Sequence, residues 1–539
     1  MSLLKRGSSR QYDVIIVGGG HNGLVAAAYL AKSGLSVCVL ERRYIVGGAC
    51  VTEEIAPGFR VSTVAYVNSL FRPEIIRELR LREFGLELLE RNPSSFTPFP
   101  DGRYLFLGPD ARMNQKEISK FSDRDAKQFT EYEATLNRIA RFVEPMLMRT
   151  PPDPLSRNPR DLLALARMAK DFRRLGREGY GLIEMLSMSA WELLDRWFES
   201  EELKVTLATD GIIGTMAGPL TPGTAYVLFH HVMGETNGVR GVWAYVKGGM
   251  GGLTCALAQS AQSFGATIRC NASVAEILVQ NGRAYGVRLE SGEEIASRII
   301  ISNADPNVTF LKLVKETELP SDFVRVVKQI DYSSGSAKIN VLLNELPNFK
   351  AVPPNGVGPQ HKGTIHISPT LGYMERAWEE AEQGHPSSSP ILEITIPSAV
   401  DPTIAPPGKH IMGMFVQYAP YSPRNGGWDD ASRNAFAERC LEILAEYAPN
   451  IQKSVIQRQI LMPPDIEREF SLTGGNIFQG AMHLNQLLFM RPLPGWAKYR
   501  TPIRGLYLCG ACTHPGGGVM GACGHNAANE VLRDLRKRI

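Results

Sequence analysis

The sequence predicts an α/β protein, with a Rossmann-like dinucleotide-binding domain interrupted by an α+β domain on the substrate side. Three observations predict it. A strand, a glycine turn and a helix open the chain over residues 12–41, and a second glycine-rich strand-to-helix turn closes it after residue 505. Between them the glycine motifs vanish over two long stretches, which a third glycine-rich segment, Gly248–Leu253, separates.

Tyr12–Val17, YDVIIV, has the apolar pattern of a buried strand. It runs into GGGHNGLVAAAYLAKSG, where Gly18, Gly20 and Gly23 are spaced G-x-G-x-x-G, and then into a second strand, SVCVLE, ending on Glu41. This β-α-β context is what the motif requires. Gly18 permits the tight turn, Gly20 lets backbone approach a pyrophosphate, and Gly23 lets the helix pack close to the sheet. The helix N-terminus offers unpaired N–H groups and its positive dipole end to phosphates. Glu41 lies where an acid accepts hydrogen bonds from ribose hydroxyls.

The fingerprint alone does not separate FAD from NAD. Beyond Glu41 the chain reaches Gly47-Gly48 and Pro57-Gly58-Phe59, where backbone can pass close to a ligand along the sheet edge. A simple turn is the other reading of that glycine pair. At the carboxy terminus GLYLC forms a short strand, followed by GACTHPGGGVMGACGHNAANEVLRDLRK. Gly516–Gly518 can supply N–H groups with no side-chain obstruction, and the following helix points its positive end at the same place. Two such turns at opposite ends of one chain suggest one extended cofactor held from both sides, which favours FAD.

TPIRGLYLCGACTHPGGGVMGACGHNAA, preceded by GGNIFQGAMHLNQLLFMRP, resembles the phytoene desaturase and carotenoid/retinoid oxidoreductase family of flavoproteins. Further matching stretches, among them GHNGLVAAAYL, VTEEIAPGF and YVLFHHVMG, run along nearly the whole chain. The resemblance implies bound FAD, a cofactor domain of the glutathione-reductase/amine-oxidase type, and a hydrophobic substrate or partner. It implies cofactor contacts from Gly18, Gly20, Gly23, Glu41, Arg42, Gly47 and Gly48, and from Gly510, Gly517, Gly518 and Val519. The backbone at Val274 would meet the adenine. One departure stands out: where the desaturases carry Asp and Gly after the Gly-Phe turn, this chain has Ser62 and Val64.

On this reading the cofactor domain comprises residues 12–90, 242–308 and 481–539, and the substrate domain residues 91–241 and 309–480. Gly248–Leu253 invites reading as a second dinucleotide site, but no acid or basic cluster ends the strand after it. With no second Rossmann unit a pyridine nucleotide has no evident pocket, so the electron acceptor would be oxygen, a quinone or another partner.

For 539 residues a net charge of +4 argues neither for nor against nucleic acid, and no nucleic-acid partner is expected. No apolar run reaches the ~18 residues of a membrane span. The short basic tail before the first strand lacks the apolar core of a secretory signal. Resemblance to animal members implies the mitochondrial matrix, and a bacterial host the cytoplasm. Residues 157–177 hold seven Arg or Lys against two Asp, with apolar residues at helical spacing. Such a helix is either a solvated face or a contact with an anionic membrane or an inner-membrane protein.

Candidate catalytic residues are few, because flavin chemistry asks mainly for a bond held at the ring, excluded water and a stabilised reduced state. His514 in THPGGG is the first, placed near the flavin by its motif. His230 and His231 are either buried structural histidines or site-lining bases. Arg491 in FMRP would stabilise the flavin or a substrate anion, or form a surface ion pair. No metal site is expected, since neither the ten His nor Cys509 and Cys512 have a ligand set. Cys50 follows Gly47-Gly48, yet the residue five positions on is Ile55, so no local redox pair exists. The function expected is an FAD-dependent oxidoreductase abstracting hydride from a small apolar substrate. A redox-neutral flavin isomerase and a flavin-binding regulatory protein are the alternatives.

Overall fold

The computed structural model describes residues 11–353, 356–424 and 426–537, so the amino-terminal tail lies outside the described residues. Strand β1 (Tyr12–Val17) is almost wholly buried and becomes the middle of the first sheet. Helix α1 (His21–Lys32) returns the chain to β2 (Val37–Leu40), parallel to β1. The chain then leaves for the hairpin β3 (Ser95–Pro98) and β4 (Tyr104–Leu107) and a helical segment. That segment contains α2 (Asp123–Leu147), α3 (Pro159–Arg174), α4 (Glu201–Ile212) and α5 (Thr224–Val232).

It returns through α6 (Gly251–Ser263) to β5 (Thr267–Arg269), which lies beside β2. Strands β6 (Val274–Gln280) and β7 (Arg283–Leu289) form an antiparallel pair. They lead into β8 (Glu294–Ser302), whose start pairs with β7 and whose length runs parallel to β1. A second excursion supplies β9 (Ser336–Leu343), β10 (Thr364–Ile367), β11 (Ile391–Thr395), β12 (His410–Gln417) and β13 (Val455–Leu461). Strand β14 (Leu506–Leu508) then joins β8, and α7 (Ala522–Arg536) covers the sheet beside α1.

The first sheet thus reads β5-β2-β1-β8-β14, all parallel, with β7 and β6 attached to β8. Helices α1, α6 and α7 contribute alanine-rich faces to one core against it, as both-sided burial of a parallel sheet requires. Gly248–Leu253 therefore leads into the crossover helix beside the first Rossmann unit and opens no second one. Ser62, one of the residues departing from the family pattern, accepts a hydrogen bond from the Met250 amide at the start of α6 (3.0 Å), and Thr52 one from Gly251 (2.8 Å).

The second sheet has the order β13-β9-β12-β11-β10-β3-β4. Its period-2 alternation sends Ile339, Val341, Ile365, Ile367, Leu392 and Ile394 into one core with helix Asp430–Tyr447. The intervening residues, Lys338, Asn340, His366 and Glu393, occupy the opposite face and are buried there too. One boundary shifts from the sequence reading. Phe310, Val314, Phe323 and Val327, assigned there to the substrate domain, pack with Ile15, Val17 and Leu506 in the cofactor-sheet core. The glycine criterion missed this because an apolar helix added to a sheet needs no glycine.

Candidate functional site

At the carboxyl ends of β1 and β2 lies a pocket of about 300 Å³, lined by Gly18, Gly20, Glu41, Arg42, Gly47, Gly48 and Val274 among others. This is where open parallel sheets bind nucleotides. Helix α1 starts at Gly20 without a side-chain cap and without an acid in its first turn, so its amino end is left open to an anion. A Cβ on Gly23 would stand 2.3 Å from the Gly18 carbonyl oxygen, and one on Gly20 2.7 Å from Asn303 Nδ2. Gly47 adopts φ 133° and donates its N–H to the Gly19 carbonyl (2.9 Å), so the second glycine pair is built onto the first turn.

Glu41 is buried and accepts from the Gly19 amide at 2.8 Å and the Arg43 amide at 2.9 Å. Arg42 reaches across to the carbonyls of Arg468 and Glu469. His21 Nε2 and Arg43 Nη1, in residues of the pocket wall, are buried without a hydrogen-bond partner. Buried polar atoms of this kind are few in native proteins and are accounted for by a ligand or water. An uncapped helix, an acid at the ribose position, close-approach glycines and orphaned polar atoms together fit a dinucleotide.

The carboxy-terminal turn comes to the same region. Helix α7 also starts on a glycine without a side-chain cap, and Gly524 packs so tightly on α1 that a Cβ would lie 2.1 Å from the Asn22 oxygen. Gly510, Gly517 and Gly518 are held by close contacts with Asn303, Phe478 and Leu70, and Val519 has φ 59°. These four do not line the pocket at Gly18; the neighbouring Ala511 does.

The expected catalytic residues separate. Arg491 is fully buried and spends its fork on the carbonyls of Phe478, Gly480, Ala481, Gln486 and Ala511, at 2.6–3.2 Å. It ties the loop before it to the glycine turn, and its burial rules out the surface ion pair that was the other reading of it. His514 bonds the Met146 carbonyl (3.0 Å) and burial pulls its pKa down to about 4. It faces a cavity beside α2 and α3 rather than the pocket at Gly18. His230 bonds the Gly517 carbonyl (3.1 Å) and His231 the Asp210 carbonyl (2.9 Å), burial holding both neutral. Helix α5 therefore has one histidine on the glycine turn and the next in a second cavity.

That cavity, about 250 Å³, lies between the helical segment and the polar face of the second sheet. Phe129, Leu136, Leu228 and Val242 form apolar wall, and Arg91, Asp210, His231, His366 and Glu393 are polar lining. Cross-strand register places His366, Glu393, Phe415 and Lys338 in one row. Tyr66 spans the row, donating its hydroxyl to Glu393, packing on Phe415 and receiving the Lys338 ammonium 4.8 Å from its ring centroid. Desolvation pushes Asp210 and Glu393 up to about 7 and Lys338 down to about 7.

Sequence reading missed this row, along with Asn303 and Gln479 in the cofactor-side pocket. Polar residues alternating with apolar ones read as a solvated strand face, and only the fold turns that face inward. Cys50, Cys255, Cys270, Cys440, Cys509, Cys512 and Cys523 form no disulfide. Cys50 is buried, and desolvation raises its thiol to about 12. Among the described residues no helix is long and apolar enough to cross a membrane, and no side-chain cluster is fit to hold a metal ion.

Comparison with known proteins gives this architecture a family. Residues 23–532 match the model of the flavin containing amine oxidoreductases. The mouse pyridine nucleotide-disulfide oxidoreductase domain-containing protein 2 is 47% identical, over 98% of this chain and 94% of its own length. Phytoene desaturase of Neurospora crassa is 26% identical, over 95% of this chain and 83% of its own. Among solved structures, an oxidoreductase from Methanosarcina mazei has a similar fold, with TM-score 0.60 at 18% identity over 96% of this chain and 99% of that one. The chain belongs to the flavin containing amine oxidoreductase family and is an oxidoreductase with FAD as its cofactor.

Proposed function

We propose that this protein abstracts hydride equivalents from a substrate with a lipophilic body, held in the cavity between the helical segment and the second sheet. The observation that carries the reading is helix α5: His230 rests on the glycine turn of the cofactor side and His231 faces the cavity, so one helix joins the two compartments. In this reading Glu41 holds ribose, the open end of α1 takes the pyrophosphate, and the backbone at Val274 meets the adenine. Bound FAD supplies the hydride acceptor. The protein's part is to exclude water with Phe129, Leu136, Leu228 and Val242, and to hold or release protons at Lys338 Nζ and Glu393 near neutral pH. The relative named phytoene desaturase supports a lipophilic body.

Anaerobic mixing of the holoprotein with a panel of lipophilic candidates tests this. Bleaching of the flavin supports dehydrogenation. Product formed only after prior flavin reduction would make it a redox-neutral isomerase, and an oxidised flavin with no product a regulatory protein. The electron acceptor is then read from reoxidation by oxygen or a soluble quinone.

We propose in addition that α3 docks on an anionic lipid surface. Its residues are all at least partly exposed, and Leu155, Leu162, Leu163, Tyr180 and Ile183 stand out to solvent around it. Beside it lies a groove with Arg149, Arg160, Arg533 and Arg536 in its walls. Apolar side chains flanked by cations match a bilayer with acidic headgroups. Cosedimentation with vesicles of phosphatidylcholine mixed with phosphatidylglycerol, lost in the Leu162→Asp/Leu163→Asp variant and absent with phosphatidylcholine alone, is the expected result. Equal binding to both vesicles, or none, rejects it. The absence of a disulfide at Cys50, Cys509, Cys512 and Cys523 supports a reducing compartment, the mitochondrial matrix or a bacterial cytoplasm.

A further inference from the structure

Arg91 is a residue of the cavity that the proposed function leaves without a task. It is 2% exposed and belongs to the cavity wall. Its Nε donates to the Trp243 carbonyl (3.2 Å), its Nη1 to Thr364 Oγ1 (2.7 Å), and its guanidinium lies 5.3 Å from the Tyr245 ring centroid. Among the described residues it makes no ion pair. Arg491, the other deeply buried arginine near the site, answers its charge with five carbonyl oxygens; Arg91 meets one carbonyl and one hydroxyl. A guanidinium does not shed its proton in a protein, and a buried charge without a counter-ion is costly.

The acids of the cavity stand differently. Asp210 and Glu393 sense the Arg91 charge without contacting it, and burial raises both so that each can hold a proton near neutrality. Glu133 at the cavity wall is raised as well, to about 7. A carboxyl can relieve its burial by protonation, whereas an arginine has no such route. His366 and His231 are held neutral by burial, and His366 Nδ1 has no partner. The one obligatory charge that this chamber leaves uncompensated is therefore positive.

We propose that the cavity takes a substrate whose lipophilic body ends in an oxyanion, a carboxylate above all, and that Arg91 binds that end. This rests on the cavity being the substrate chamber. Phe129, Leu136, Leu228 and Val242 hold the body, and the unused face of the guanidinium fork takes the carboxylate oxygens. The feature sets substrate class without adding a chemical step, since Arg91 anchors one end and transfers nothing.

Three probes of one length separate the charge classes: octanoate, octan-1-ol and octylamine. Each is titrated into the FAD-loaded protein, with binding read by calorimetry and by perturbation of the flavin spectrum. The expected order is octanoate tightest, the alcohol weaker and the amine weakest. Arg91→Gln should weaken octanoate about 10- to 100-fold and leave octan-1-ol unchanged, with Arg91→Lys in between. Octylamine binding more tightly than octanoate to the wild-type protein overturns the proposal, as does failure of octanoate to bind. An unchanged octanoate affinity in a folded, yellow Arg91→Gln protein also overturns it. The wild-type ranking decides the matter even if the variant does not fold. A protein that takes up no FAD would instead refute the flavin reading, so the two failures are distinguishable.

Discussion

Tyr66 donates its hydroxyl to Glu393, joining a loop beyond the cofactor-side hairpin Thr52–Ser62 to the middle of the second sheet. The same phenol ring lies under the Lys338 ammonium, so one aromatic side chain touches an acid and an amine that burial drives toward the same pKa from opposite sides. The interior face of the substrate sheet is thus a titrating surface near neutral pH.

Glu393→Gln tests this by linkage. Burial raises the Glu393 pKa from 4.5 to about 7, so the folded protein holds a proton that the unfolded chain gives up first. Its contribution is fully present below pH 4.5 and is lost as pH rises through 7. Gln keeps the acceptor for Tyr66 and removes the titration. The variant should gain about 1–3 kcal/mol relative to wild type between pH 4.5 and pH 8, measured by denaturant unfolding. A stability difference that does not change with pH would contradict the assignment.

Glu41→Ala removes the acceptor of the Gly19 and Arg43 amides and the expected partner of the ribose. Flavin affinity should fall by about 1.5–3 kcal/mol, roughly 10- to 100-fold, while far-ultraviolet circular dichroism stays unchanged. Fluorescence titration of the apoprotein with FAD measures it.

Arg491→Met leaves up to five buried carbonyl oxygens without their donor. The expected result is a loss of at least about 3 kcal/mol in unfolding free energy together with loose retention of flavin. A stable variant that keeps its flavin but loses turnover would instead support a catalytic part for this residue.

Cys50→Ser should keep both flavin and turnover. The thiol is buried, its pKa is raised to about 12, and its neighbour is His21 at 3.8 Å rather than a second sulfur. Loss of turnover with flavin retained, accompanied by loss of thiol-titratable electrons, would show disulfide chemistry here after all. The name of the mouse relative suggests such chemistry; these residues do not supply it.

The sequence made the cofactor half of this molecule legible for a definite reason. Gly18, Gly23, Gly47 and Gly48 are required by contacts or torsions within the turn itself, and such demands are written locally, whereas Gly20 answers the distant Asn303. Glu41 is equally local, since it ends the strand that the motif predicts. The substrate half is written across strands. His366, Glu393 and Lys338 form a row only through the register of three strand pairs, and Arg91 joins them from the start of the first excursion. Arg491 shows the converse: its place in a family motif says that it matters, and only its five carbonyl partners say why.

The central claim is that this pocket holds FAD, and the visible spectrum tests it most directly. The purified protein, incubated with FAD and passed through gel filtration, should carry a flavin absorbance band with it, and Glu41→Ala should carry less. A wild-type protein that emerges colourless after that treatment contradicts the account.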